Sequence, residues 1–159
     1  MTYPATLIAF AFVEKGISEE KYVTQMKLQK MVYFAHGYYL SKYNDPLIKE
    51  TFEAWQFGPV VSKIYNDYKF YGSSPITDTE LLNWVKSATE HDLKSLDSYA
   101  KDAIDYTWEA LKDVTASKLS NWTHKNGSPW NTYYKAGSKD IPIPNEDIKL
   151  YFQNFLSHQ

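Results

Sequence analysis

The chain has 159 residues, 43% of them hydrophobic and 23% charged, which suits one globular domain with a real core. It contains no cysteine, and this excludes disulfide scaffolds, cysteine-ligated zinc or iron–sulfur sites, and thiol catalysis. Net charge is -2 and all 17 basic residues are lysines, so a nucleic-acid partner, which arginine usually serves, is not expected.

The first helix opens after Thr2, Tyr3 and Pro4, with Leu7, Ile8, Ala11 and Phe12 on one stripe and Gly16 as its expected C-cap. The apolar run from Leu7 to Val13 lacks a basic leader and is too short to span a bilayer. No membrane association is expected, and a cytoplasmic setting is. Thr24 starts a second helix in which Leu28, Met31, Val32, Ala35 and Tyr39 follow helical spacing, while Tyr33, Phe34 and Tyr38 fill other faces. A helix apolar on several sides is a central one. Gly37 in its middle costs about 1 kcal/mol against alanine, which points to another backbone packing closely there. Asn44-Asp45-Pro46 stops it.

Phe52, Ala54 and Gln56 alternate with Thr51, Glu53 and Trp55, so a short strand or extended segment is expected there. Phe57-Gly58-Pro59 breaks it, and Pro59 then starts a helix carrying Val60, Val61, Ile64, Tyr65 and Tyr68 that ends at Gly72. Thr77-x-x-Glu80 is a capping box ahead of Leu81, Leu82, Trp84, Val85 and Ala88. After a polar connection, Leu96, Tyr99, Ala100, Ala103, Thr107, Leu111 and Val114 mark another helix. A short helix over 115–125 carries Leu119 and Trp122, Gly127-Ser128-Pro129 breaks it, and 130–135 forms a further turn or two. Ile141-Pro142-Ile143-Pro144 is extended, because each proline disfavours helix in its predecessor. Asn145 is the expected cap of a last helix with Ile148, Tyr151, Phe152, Phe155 and Leu156 inside and Glu146 and Asp147 favouring its dipole. The fold class is therefore mainly α: a single compact domain over 1–159 with about seven helices and at most a short two-stranded β element.

Catalytic and ligand-binding patterns are absent. The four histidines show no HExxH spacing, the six glycines form no GxGxxG or phosphate loop, and no GxSxG occurs. No catalytic residue, metal or cofactor is expected. His36, on the central helix, reads as a hydrogen-bonded core residue. His124 reads first as a residue that fixes the following loop, with a catalytic base as the alternative. What stands out is 27 aromatics (14 Tyr, 8 Phe and 5 Trp), more than such a core hides. They concentrate in 31–43, 52–71 and 122–134. Two readings stand: core alone, or core plus a partner-binding face rimmed by Lys27, Lys30, Lys42, Lys63 and Lys69.

At these segments the sequence resembles a known family. Met26-Lys27-Leu28-Gln29-Lys30-Met31-Val32-Tyr33-Phe34-Ala35-His36-Gly37 is similar to the KLQKLLYYAQG helix of the Panacea domain, found in phage-associated GepA-like and SocA-like proteins. Glu53-Ala54-Trp55, Gly58-Pro59-Val60 and Tyr65 resemble its EAWxxGPVxxxxY block, and Leu119, Thr123-His124 and Ser128-Pro129-Trp130 its third. The resemblance covers about residues 5 to 135. It implies a helical antitoxin of a toxin–antitoxin pair that neutralises a cognate protein toxin, encoded by an adjacent gene, through direct contact. The alternative it carries is an adaptor that hands its toxin to a ClpXP-type protease. Some members have an added N-terminal DNA-binding region; this chain enters the domain at Met1, and autoregulation through DNA is not expected. The partner-binding candidates are Trp55 and Tyr65 flanking the Gly58-Pro59 corner, with Phe57, Lys27 and Lys30. The structural motif residues are Leu28, Tyr33, His36, Gly37, His124, Pro129 and Trp130.

Overall fold

The structure, a computed structural model, describes residues 2–77 and 93–158. Among them are seven α-helices: α1 (Ala5–Ser18), α2 (Gln25–Tyr43), α3 (Ser62–Tyr68), α4 (Ser98–Leu111), α5 (Ala116–Thr123), α6 (Pro129–Tyr133) and α7 (Asn145–Ser157). One antiparallel hairpin joins β1 (Glu53–Trp55) to β2 (Gly58–Val60), with Ala54 opposite Pro59. The fold is mainly helical with a two-stranded element, as the sequence indicates. The helix expected after the Thr77–Glu80 capping box lies outside the described residues.

The central element is α2. Every residue from Leu28 to Leu40 is buried, and α1, α3, α4, α5, α7 and β2 all pack against it. Its ends follow from local chemistry. The Thr24 hydroxyl accepts the Lys27 N–H (3.3 Å), and Asn44 closes the C-terminus in the left-handed conformation (φ 56°). Ala5 to Val13 of α1 are likewise all buried.

Four local expectations are corrected. Gly16 is not a C-cap: α1 runs on to Ser18, and a Cβ on Gly16 would lie 2.9 Å from the Lys21 carbonyl oxygen, so the glycine serves a close chain return. Gly37 is approached by an aromatic ring and not by a backbone; a Cβ there would lie 2.2 Å from carbons of the Phe152 ring. Pro59 does not start a helix but sits in β2, and α3 begins at Ser62. Pro59 lacks an N–H, which a two-stranded edge tolerates. Asn145 does not cap α7: Pro144 takes the N-cap position, and the Asn145 side chain meets His36 instead.

The 141–143 segment is extended, and it does more than connect. Ala54 N–H donates to the Ile141 carbonyl (2.9 Å) and Ile143 N–H to the Phe52 carbonyl (2.8 Å). The chain before α7 thus covers the outer edge of β1, while the hairpin turn at 56–57 is exposed.

Candidate functional site

Side chains from α2 hold that hairpin in place. The Gln29 amide grips Val61 at both ends: its Oε1 accepts the Val61 N–H (3.0 Å) and its Nε2 donates to the Val61 carbonyl (3.2 Å). At the next position, Lys30 Nζ donates to the Phe57 carbonyl (2.7 Å). Gly58 between them has φ 129°, and a Cβ there would meet Lys30 Nζ at 2.6 Å and Thr123 Oγ1 at 3.3 Å. Both the backbone angle and the space demand glycine.

The α5–α6 turn supports the hairpin from beneath. Ser128 is the N-cap of α6, with Pro129 in the first turn; its buried Oγ accepts the Asn131 N–H (3.2 Å) and donates to the Thr123 carbonyl (2.7 Å). This orients a stack. The His124 ring lies 3.8 Å from Trp130 at an interplanar angle of 11°, and Trp130 lies 4.6 Å from Tyr134 at 14°. Trp130 Nε1 donates to the Trp55 carbonyl. The three sequence blocks, far apart along the chain, therefore meet on two neighbouring carbonyls, those of Trp55 and Phe57.

On the outer side the hairpin presents rings. The Trp55 ring packs 5.1 Å from Tyr65, its Nε1 donates to Glu53 Oε1 (2.9 Å), and Lys139 Nζ sits 5.2 Å from its centroid. Phe57 at the turn is 60% exposed, with Met26 and Tyr65 also exposed beside it. Together these side chains border a groove of about 700 Å³ with Lys30 in its lining. Met26, Tyr134 and Lys139 were not among the sequence candidates. Gln29 stands inside the helix that resembles the family block, where sequence alone assigns it no role, and it anchors the end of the hairpin at Val61.

Each predicted partner-binding residue finds a distinct place. Trp55, Phe57 and Tyr65 are on the groove wall; Gly58 and Pro59 are buried and shape the hairpin. Lys27 and Lys30 are not a solvated rim. Lys27 is half-buried and donates to the Lys112 carbonyl (2.7 Å), with its pKa lowered first by burial. Lys30 is 2% exposed, and desolvation lowers its pKa to about 8. His124 is also shifted down, by burial and then by the Lys30 charge, with the neighbouring Phe57 backbone opposing the shift. Of the motif residues on α2, Leu28 and Tyr33 are core. His36 Nδ1 accepts the Ile48 N–H (3.3 Å), which leaves the proton on Nε2 facing Asn145 Oδ1 (2.8 Å). Burial pushes its pKa down to about 4, so it stays neutral. Among the described residues no group of three His, Asp or Glu side chains gathers in a way that could hold a metal ion, and no helix is long and apolar enough to cross a membrane.

A family model described as "Antitoxin SocA-like, Panacea domain" matches residues 28–131, from the start of the buried stretch of α2 to the middle of α6. The chain belongs to this family. Its similarity to the Antitoxin SocA of Caulobacter vibrioides (strain NA1000 / CB15N) is 29% identity over 129 residues, covering 80% of this chain and 68% of the relative. No solved structure matches the chain. The family match encloses most of α2, the hairpin, α3 and the α5–α6 turn; Gln29, Lys30, Trp55, Phe57 and Tyr65 of the groove lie inside it, and Met26, Tyr134 and Lys139 outside. An antitoxin family implies a toxin as partner.

Proposed function

We propose that this antitoxin-family protein neutralises a protein toxin by binding it directly, without transforming a substrate, and that the hairpin groove receives the toxin. The observation that carries the reading is the concentration of exposed Met26, Phe57 and Tyr65 with the Trp55 ring around one groove. Isolated apolar side chains on a surface need no explanation, but a contiguous group around a concavity marks an interaction site. The energetics are adequate. A nanomolar complex needs about 12 kcal/mol, and an interface of about 800 Å² per partner with two or three aromatic anchors supplies it. Met26, Phe57 and Tyr65 sit on helices and a hairpin already fixed by Gln29, Lys30 and Trp130, so little ordering cost is left to binding.

Co-expression with the product of the neighbouring reading frame tests this. The neighbour should be toxic alone and harmless with this protein, and the two should co-purify as a complex. A neighbour that is harmless alone, or that stays toxic in the presence of this protein, contradicts the reading. Neutralised toxin should persist at full level in cells lacking and containing ClpX and ClpP; loss that depends on either would assign the protein an adaptor role instead.

A further inference from the structure

Most lysines with a defined contact meet a carboxylate. Lys15, Lys21, Lys42, Lys63, Lys112 and Lys149 each lie within ion-pair distance of Asp105, Asp113, Asp102, Asp67, Glu109 and Glu146 respectively. All of these lysines are on the surface or half-buried, where the pairing matters least. Lys30 is the reverse. It is 2% exposed on the central helix, yet among the described residues its ammonium has one acceptor, the Phe57 carbonyl, for three N–H donors, and no carboxylate. A buried ammonium is ordinarily paired, because desolvation is otherwise uncompensated. Its lowered pKa, about 8, reports that strain and still leaves it mostly charged at neutral pH.

The groove above it has matching polarity. Among the described residues its lining includes Lys30 and Lys139 and no Asp or Glu, in a chain whose net charge is -2. Its walls are the side chains of Met26, Trp55, Phe57 and Tyr65. A small free anion would leave those rings wet. A protein segment crossing all four covers them and passes over Lys30, which places an acidic side chain, rather than a chain end, above the ammonium.

We propose that Lys30 receives one Asp or Glu side-chain carboxylate of the toxin, presented by an apolar segment that fills the groove between Met26, Trp55, Phe57 and Tyr65. This rests on the direct-binding reading above. The carboxylate completes the ammonium's hydrogen bonding in a desolvated site, where a charged pair discriminates strongly between partners.

The test uses this protein and the purified product of the neighbouring reading frame, with affinities measured by calorimetry. Lys30→Met should weaken binding about 30-fold or more, the level of an interface hot spot, while keeping the far-UV circular dichroism of the unchanged protein. One Asp→Asn or Glu→Gln substitution in the toxin should weaken binding to the unchanged protein similarly and add nothing further against Lys30→Met. If Lys30→Met binds as well as the unchanged protein while Phe57→Ala binds weakly, the groove reading stands and the Lys30 assignment falls. If neither weakens binding, the groove reading falls with it. Loss of binding on amidating the toxin's C-terminus, with every internal acidic substitution neutral, overturns the side-chain assignment. Should Lys30→Met not fold, the Lys30 side-chain resonance decides: its titration midpoint should rise by at least about one unit in the complex, and an unchanged midpoint overturns the proposal.

Discussion

The two halves of α2 bury polar side chains in opposite ways. Near its C-terminal half, His36 has both ring nitrogens engaged, by Ile48 and Asn145, and Gly37 is sealed by the Phe152 ring. Near its N-terminal half, Gln29 is satisfied by Val61, but Lys30 has a single carbonyl among the described residues and lines a groove. A buried polar group whose partners are all internal specifies architecture; one left short beside an open concavity is available to a second molecule. The first seam ties α7 to α2, and the second holds the hairpin.

The comparison can be broken most forcefully at the sealed end. Phe152→Ala should cost about 3–5 kcal/mol in denaturant unfolding, because it empties the site shared with Tyr33, Phe34 and Trp122. Gly37→Leu should cost about 1–3 kcal/mol by overfilling the same site. In the pair Gly37→Ala with Phe152→Ala the two costs should add to less than their sum, since the ring that obstructs the new methyl is gone. Strict additivity would show that the ring does not meet Gly37.

Acid should expose the same end. The folded His36 pKa, about 4, lies below its ordinary 6.5, so between those values the unfolded chain binds the extra proton. The cost is fully present below pH 4, disappears above about 6.5, and amounts to about 3 kcal/mol across the window. Stability should therefore rise with pH from 4 to 6.5, and His36→Gln should flatten that rise. Lys30 sets a second window with the same sign: its pKa falls from 10.5 to about 8, so its burden is full below pH 8 and lifts towards 10.5. Lys30→Met should remove the alkaline slope and leave the acid one.

Smaller effects sharpen the groove end. Phe57→Ala should weaken toxin binding by about 2 kcal/mol and change the unfolding free energy by less than about 0.5 kcal/mol, since the ring is 60% exposed. Ser128→Ala should cost about 1 kcal/mol of stability by removing the α6 cap, measured by thermal melting.

The helices were legible because their signals are local. Helical spacing in 28–39, the Thr24 start and the Asn44 stop require no distant partner, and both ends of α2 are observed where those residues put them. The centrality of α2 also followed from rings on every face. That same inference implied that Lys30 is buried, yet a lysine alone reads as a rim. Pro59 misled because proline suits both a helix start and an edge strand, and only the Phe52–Ile143 and Val61–Gln29 contacts decide between them. Asn145 looked like a cap for want of any sign that His36, 109 residues away, would take its side chain. The resemblance located the blocks that meet at the hairpin. It carried no information on Met26 beyond its place in the helix, nor on Tyr134 or Lys139, which arrive by tertiary packing.

The most direct test is hydrogen exchange of this protein with and without its bound toxin. Binding at the groove should slow exchange in the hairpin, residues 53–61, and in the first turns of α2, while the outer face of α4, where Tyr99 and Tyr106 are exposed, exchanges as before. Protection confined to α4, with the hairpin unchanged, would seat the toxin away from the groove and contradict the proposed binding face.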